Sequence, residues 1–338
     1  MKISRRTLLQ MGSGLAAGSA LAGMGGTGFA QTPQRWDMAD EYGENALTGK
    51  ASLYFIDELK KRIGDELDIT YHGGGALGYR SVDHFDAVED GAVPLAVTLA
   101  TQLGGIDPLF DLTSLPFLVP TPDEAMRLWR IAKPEYARIF DEHNMVLLWA
   151  MPNPPSGIHG KRPIDAPDAL KGLRIRTYDV NGTQTLVNAG AAPLQISWSD
   201  LVPQLSTGGI DAVLSSADGG VQLSIWDYLT DFTELNYAMG LFMAHVNKDA
   251  YESLSDSAKQ AIQEVSDLTD EFNWKAMVAT IEDSYGIMRE HGMTVTQNPP
   301  AEVFDHLKAA GEGVHAAWVE RVGDRGKAIL DEFEKGRA

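Results

Sequence analysis

The chain has 338 residues, 44% hydrophobic and 22% charged, enough for two domains or one large one, and its composition excludes a disordered or low-complexity protein. Acidic residues outnumber basic ones 47 to 28, a formal charge of −19 that leaves no general basic surface for nucleic acid or an anionic membrane. The absence of cysteine removes disulfides, thiolate nucleophiles and cysteine-bound metals from consideration.

The first 30 residues read as an export signal. Lys2, Arg5 and Arg6 make a basic start, a glycine- and alanine-rich apolar run follows, and Gly28-Phe29-Ala30 supplies a small-residue cleavage site. Ser4-Arg5-Arg6-Thr7-Leu8-Leu9 is similar to the twin-arginine export motif. A short membrane anchor is the competing reading, and the many glycines favour cleavage. Cleavage before Gln31 removes three cations and no carboxylate, which takes the formal charge from −19 to −22. No later stretch reaches the roughly 18 uninterrupted apolar residues of a membrane span. The expected product is a soluble periplasmic protein that does not itself cross the membrane.

Beyond the signal, 35–39 is a short strand and 46–63 a helix by its apolar period. "LDITYH" is a strand, "YRSVDHFDAVEDG" a helix ended by Gly91, and "VPLAVTLA" a buried strand. A helix opens after Thr121-Pro122, where Asp123 and Glu124 suit its first turn, and "NMVLLWA" is another buried strand. "PNPPSG", 152–157, is the clearest interior punctuation and the first candidate domain crossing. Strand "GLRIRT", a helix around "NGTQTLVNAG", the segment "APLQIS", a helix opening at Ser197 or Ser199, and strand "IDAVLSS" follow. Extended segments then run to about Asn247, and the 255–291 pattern is helical throughout, long enough to run across both domains. Strands alternating with helices give an α/β architecture with largely parallel sheets.

Two glycine patterns fail their own tests. Gly73-Gly74-Gly75-Ala76-Leu77-Gly78 satisfies the dinucleotide fingerprint, but "LAVTLATQ" holds no carboxylate where the ribose partner belongs. His72-Gly73-Gly74-Gly75 is similar to the oxyanion loop of lipases, but the chain has no G-x-S-x-G elbow. The loop is therefore read as a tight strand-to-helix turn. The eight histidines are scattered singly, and His306 and His315 sit nine apart on a helix without metal-ligand spacing. No catalytic residue, cofactor or metal is assigned. The remaining candidate is "LKGLRIRT": strand alternation puts Arg174 and Arg176 on one face, either a solvated edge or an anion anchor.

Taken in order, "DALKGLRIRT", "NAGAAPLQISWSDLVPQLSTGGIDAVLSS" and the long helix after "LSDSAKQAIQEV" resemble the substrate-binding protein of tripartite ATP-independent periplasmic (TRAP) transporters, of the dicarboxylate-binding type. The resemblance spans nearly the whole mature chain. It implies an α/β, two-lobed periplasmic binding protein with two chain crossovers and a long helix spanning both lobes. Lobe I would comprise 31–152 with about 241–280, and lobe II 153–240 with about 281–338. It places the family's carboxylate-binding arginine at Arg176, with Arg174 peripheral. It places the aromatic wall of the cleft at Trp198, a ligand-bonding position at Ser215, and a ligand-reaching loop at Arg80. A second arginine of some relatives falls at Ser156, and "LSSADGG" replaces the more usual sequence, so no relative's ligand is carried over. The implied function is capture of a small organic acid and delivery to small and large TRAP membrane subunits, by a protein expected to be a monomer. An exported hydrolase working in the cleft, or a sensory protein presenting ligand to a receptor, are the alternatives.

Overall fold

The computed structural model describes residues 33–336, so the expected export signal lies outside the described residues. The first lobe opens with β1 (Gln34–Asp40), α1 (Leu47–Ile63), β2 (Leu67–His72), α2 (His84–Glu89), β3 (Leu95–Leu99), α3 (Pro122–Glu142) and β4 (Met145–Pro152). The chain crosses at 153–155 into a second lobe of β5 (Ser156–Gly160), β6 (Arg174–Thr177), α4 (Val180–Asn188), β7 (Ala192–Gln195) and α5 (Leu201–Ser206). β8 (Ala212–Ser216), α6 (Ala217–Gln222) and β9 (Asp231–Thr233) complete that passage. It returns through 234–240 to β10 (Leu241–Asn247) and α7 (Lys248–Glu252) in the first lobe. α8 (Asp256–Glu290) leads across to β11 (Thr294–Thr296), followed by α9 (Ala301–Val322) and α10 (Asp324–Lys335).

The first sheet has strand order β2-β1-β3-β10-β4, and the second β11-β9-β5-β8-β6-β7. β10, the returning strand, runs antiparallel to both β3 and β4, while β6 runs parallel to both β7 and β8. β3 and β10 are buried at every position, as strands covered by helices on both faces must be. α1 turns Leu47, Ala51, Phe55 and Leu59, at four-residue spacing, into the core. α3 starts where Thr121 caps the Glu124 amide, with Pro122 and two acids in its first turn.

Several local expectations are corrected. The helix expected from Ser197 or Ser199 begins at Leu201, because 197–200 form a turn whose Ser199 amide donates to Glu41 instead of to a helix. The stretch expected to be extended up to Asn247 is broken by α6 and by a short helical turn at Ile225–Asp227. The glycine loop, by contrast, is the tight strand-to-helix turn expected: Gly74 and Gly75, both at positive φ, donate their amides to the carbonyls of Tyr42 and Asp40 at 2.8 and 2.9 Å. The C-terminal segment expected in lobe II is divided between the lobes. α9 begins against α4, where Asn188 Nδ2 donates to the Ala310 carbonyl at 2.9 Å. It ends on the first lobe, where Trp318 Nε1 donates to Pro108 and Arg321 pairs with Asp111. α10 packs on α3 with Arg127 stacked over Phe333. Apolar side chains at both ends of this helical pair are therefore buried by different lobes.

α8, 35 residues and about 50 Å long, packs against α1 and β4 at one end and against α6 and β11 at the other. It also seals the edge strand β4. Asp270 Oδ1 accepts the Ala150 amide at 2.7 Å, and Asn273 Nδ2 donates to the Ala150 carbonyl at 2.9 Å. Both backbone polar groups of that residue, on the strand's open side, are thus satisfied by side chains. Asp270 also takes Lys133 at 2.7 Å. Asp270→Ala leaves the Ala150 amide without a partner and Lys133 with only the longer Asp267 pair at 3.6 Å, and should cost about 1–3 kcal/mol, read as a lowered Tm with helical circular dichroism intact.

Candidate functional site

Arg176 lies on β6, between the parallel strands β7 and β8, near the carboxyl end of the sheet where open α/β sheets present their crevices. It is 2% exposed, one of the largest fully enclosed side chains. Its Nε donates to the Ile196 carbonyl at 2.9 Å, and Nη1 to the Leu214 carbonyl at 3.4 Å. Burial pushes its pKa down from the ordinary value, and a guanidinium still stays charged at any accessible pH. Among the described residues, no carboxylate lies within ion-pair distance of it. Arg174, two residues earlier and on the same side of the pleat, is exposed and bound to Asp211 at 2.7 Å. Lys161, and then Arg174, hold the Asp211 carboxyl below its usual range. The two arginines thus share a strand face but not a role: one is a surface ion pair, the other an enclosed cation.

Arg176 forms part of the wall of a cavity of about 40 Å³ between the two lobes. Tyr42, Thr48, Leu99, Asn153 and Phe242 line it from the first-lobe strand ends, the start of α1 and the crossover, and Tyr178, Trp198, Ser215, Ser216, Asp218 and Gln222 from the second. The Trp198 ring lies 6.0 Å from the Arg176 guanidinium carbon and 5.1 Å from the Tyr42 ring, which in turn meets Phe242 edge-on at 4.9 Å. Aromatic faces therefore close the cavity from both lobes. Asp218, 8% exposed, has Gln222 Nε2 at 3.4 Å, and burial raises its carboxyl pKa. The cavity so holds a cation and a carboxylate, each short of partners. Gly219 makes the wall possible: a Cβ there would sit 2.5 Å from Ser215 Oγ and 3.3 Å from the Trp198 ring.

Of the residues singled out in the sequence, Arg176, Trp198 and Ser215 meet at this cavity. Ser156 and Arg80 are not among its lining residues. Ser156 stands behind the wall, with its hydroxyl 3.2 Å from that of Tyr178. Arg80 is half-exposed and bound to Asp83 at 3.2 Å. Tyr42, Asn153, Tyr178, Asp218 and Phe242 were not legible as site residues. The one available signal was Asp218, a carboxylate placed directly after an apolar strand in "AVLSSAD".

Residues 38–320 match the family model of bacterial extracellular solute-binding proteins, family 7. The chain belongs to that family. It is 24% identical over 306 residues to the ectoine-binding periplasmic protein of Halomonas elongata, covering 87% of this chain and 88% of that one. In structure it is similar to an extracytoplasmic solute receptor of Bordetella pertussis binding pyroglutamic acid, with TM-score 0.86 and 28% identity over 89% of this chain and 99% of that one. A TRAP solute-binding protein of a marine metagenome, specific for pyroglutamate, matches with TM-score 0.86 and 26% identity over 90% and 99% of the two chains.

Two further carboxyls of this solute-binding protein are fully buried close in sequence to the cavity-lining Tyr42 and Tyr178. Burial raises Asp40, which accepts the Tyr42 amide and the Tyr71 hydroxyl, to about 7. Burial likewise raises Asp179 to about 7, with the Gly182 amide opposing and Asp111 of the first lobe adding to the rise. A carboxyl raised from its unfolded value of about 3.9 holds its proton better in the folded state. Its stabilising contribution is complete below that unfolded value and disappears as pH rises through about 7. Asp179→Asn keeps the Gly182 acceptor without the charge, so its Tm should gain on the parent's by several degrees between about pH 5 and pH 8. An unchanging difference across that range would contradict the shift. Gly219→Ala should weaken solute binding by filling the cavity wall and cost about 1–3 kcal/mol of stability, measured by calorimetry and denaturant unfolding.

Proposed function

We propose that this solute-binding protein captures one compact organic acid carrying both a carboxylate and an N–H or O–H donor, and delivers it to the small and large membrane subunits of a TRAP permease outside the cytoplasm. The observation that carries the reading is the enclosed, unpaired Arg176. Of the five N–H groups of a guanidinium, two are spent on backbone carbonyls, which fix the plane, and three remain for a ligand. A carboxylate matches that fork with two parallel, charge-assisted hydrogen bonds, strengthened by the low dielectric of a closed cleft. Asp218 supplies the second half of the specification. A carboxylate 8% exposed in the same cavity favours a ligand that brings a donor and disfavours one that brings a second anion. Trp198 and Tyr42 offer faces to a small ring, and Ser215 and Asn153 add hydrogen-bonding groups. Ser156 supports Tyr178 from behind, and Arg80 contributes at most to the rim.

The ligands named for the relatives fit this specification. Pyroglutamate carries one carboxylate and one lactam N–H on a five-membered ring, and ectoine one carboxylate and a cyclic N–H system. Binding without chemical change is the expected mode, since the site holds an anion anchor rather than a nucleophile with its base. Lobe closure then shifts the population toward the form that membrane subunits recognise.

Isothermal calorimetry with L-pyroglutamate, against succinate as the dicarboxylate control, tests the reading. Pyroglutamate should bind and succinate should bind far more weakly. Arg176→Ala should lose about 30-fold or more in affinity, as expected when a buried charge pair loses one member. Asp218→Asn should narrow the gap between the two acids. Equal affinity in Arg176→Ala and the parent would remove the anchor, and turnover of the bound acid, followed by NMR, would replace transport by the hydrolase reading.

A further inference from the structure

Glu41 follows β1 directly and is 6% exposed, yet among the described residues no cation lies within ion-pair distance of its carboxylate. Its two oxygens are used on two backbone amides from opposite lobes. Oε2 accepts Ser81 N at 3.0 Å within the first lobe, and Oε1 accepts Ser199 N at 3.2 Å across the cleft. Ser199 adjoins Trp198, and the other side of that turn is pinned as well, because the Ile196 carbonyl accepts Arg176 Nε at 2.9 Å. Trp198 is thus bracketed by the anion anchor of its own lobe and by a carboxylate of the other. The nearby cross-cleft contacts are weaker in kind: Gln222 Nε2 to the Asn45 carbonyl at 3.2 Å, and the tilted Tyr42–Trp198 ring pair.

We propose that Glu41 is the latch of this cleft, a positioning residue that holds the Trp198 turn over Arg176 when the lobes close. The inference rests on the reading that solute is held between the two sheets. An enclosed carboxylate without a cation is stable only while donors satisfy it. In the closed form one donor comes from each lobe. When the lobes part, the Ser199 amide leaves, and Oε1 must be rehydrated. Closure and the aim of Trp198 are therefore one event, and the ligand is released only when the Glu41–Ser199 bond breaks. Ser81 keeps the carboxylate oriented meanwhile, so the latch is ready for the next closure.

The absence of cysteine makes a distance measurement clean. Spin labels on Asp86→Cys in the first lobe and Gln204→Cys in the second, both exposed positions, report the separation across the mouth by pulsed electron resonance. Two variants are compared with the labelled parent, each with and without L-pyroglutamate. Glu41→Ala removes both acceptors. Glu41→Gln keeps the volume and the Ser81 bond but turns an amide toward an amide on one side, so it separates the latch from folding. Both variants should show about tenfold or greater loss of the short-distance population relative to the long one, the size expected for one charge-assisted hydrogen bond. Pyroglutamate should dissociate faster by a similar factor in stopped flow, with association little changed. Coincident distance distributions in the parent and both variants would overturn the latch. If pyroglutamate moves no distance in the parent, the ligand reading fails instead, and the ligand-free distributions of parent and variants still decide the latch.

Discussion

The structure is organised around one enclosed cation. A guanidinium removed from water is costly unless it is held and matched, and Arg176 is held by two backbone carbonyls, one from each strand-end segment flanking β6. Those carbonyls carry only partial charge, so they orient the group without neutralising it. The remaining demand can be met by an anion brought from outside. Everything around it serves that condition: β7 and β8 fix the carbonyls, aromatic rings keep water out, and the first lobe covers it from the far side of the cavity. A surface arginine needs none of this, as Arg174 shows with its exposed partner Asp211.

The strand "GLRIRT" was legible as a strand, and the resemblance separated its two arginines before any geometry was available. Alternation alone left them equivalent, because period-two patterning gives the face of a side chain but not its depth along the strand. Depth comes from what covers each end, and at Arg176 the cover is the Ile196 and Leu214 carbonyls and the first lobe. The long helix was legible in full, since its apolar period and its Ser255 cap are local signals. Tyr42, Asn153 and Phe242 were not. They sit at the end of β1, on the crossover and on the returning β10, segments brought together only by the strand order β1-β3-β10-β4. The assignment of the last helices failed for a related reason. Trp318 and Phe333 are fully buried, and nothing local in the sequence states which lobe supplies the core they enter.

The two sides of the lobe junction differ in kind. On the hinge side, Asn181 Nδ2 donates to the Asp111 carbonyl and to Ser114 Oγ, both at 3.0 Å, and the Thr185 and Tyr237 hydroxyls lie 3.2 Å apart. These groups are buried, so breaking them would leave polar atoms without partners. On the mouth side, Ser199, Gln222 and Asn45 border solvent, and their groups can exchange a protein partner for water. If the lobes part as proposed, the mouth-side bonds are the ones that can exchange for water, while the buried bonds on the other side would stay. Such an asymmetry lets a modest ligand energy move the equilibrium, because a ligand shifts it only by its differential affinity for the two forms.

Net charge bears on the same question from the outside. A chain of formal charge −19 repels free anions, yet at physiological salt exposed charges are screened over about 8 Å. Arg176 acts inside that distance, within walls that water barely enters. Under the proposed function, long-range attraction would contribute nothing to capture, and selectivity would fall to contact chemistry at the cavity. There, in the proposed mode of capture, Asp218 and Arg176 would impose opposite requirements on one small ligand. An acid that answers only Arg176 leaves a raised carboxyl facing it unpaired, while one that answers both satisfies the site, and the penalty for leaving a buried polar group unmatched is larger than the gain from an extra apolar contact. Discrimination of this kind needs no added area. It needs the two groups to stay where they are, which is what the carbonyl tethers on Arg176 and the Gln222 contact on Asp218 provide.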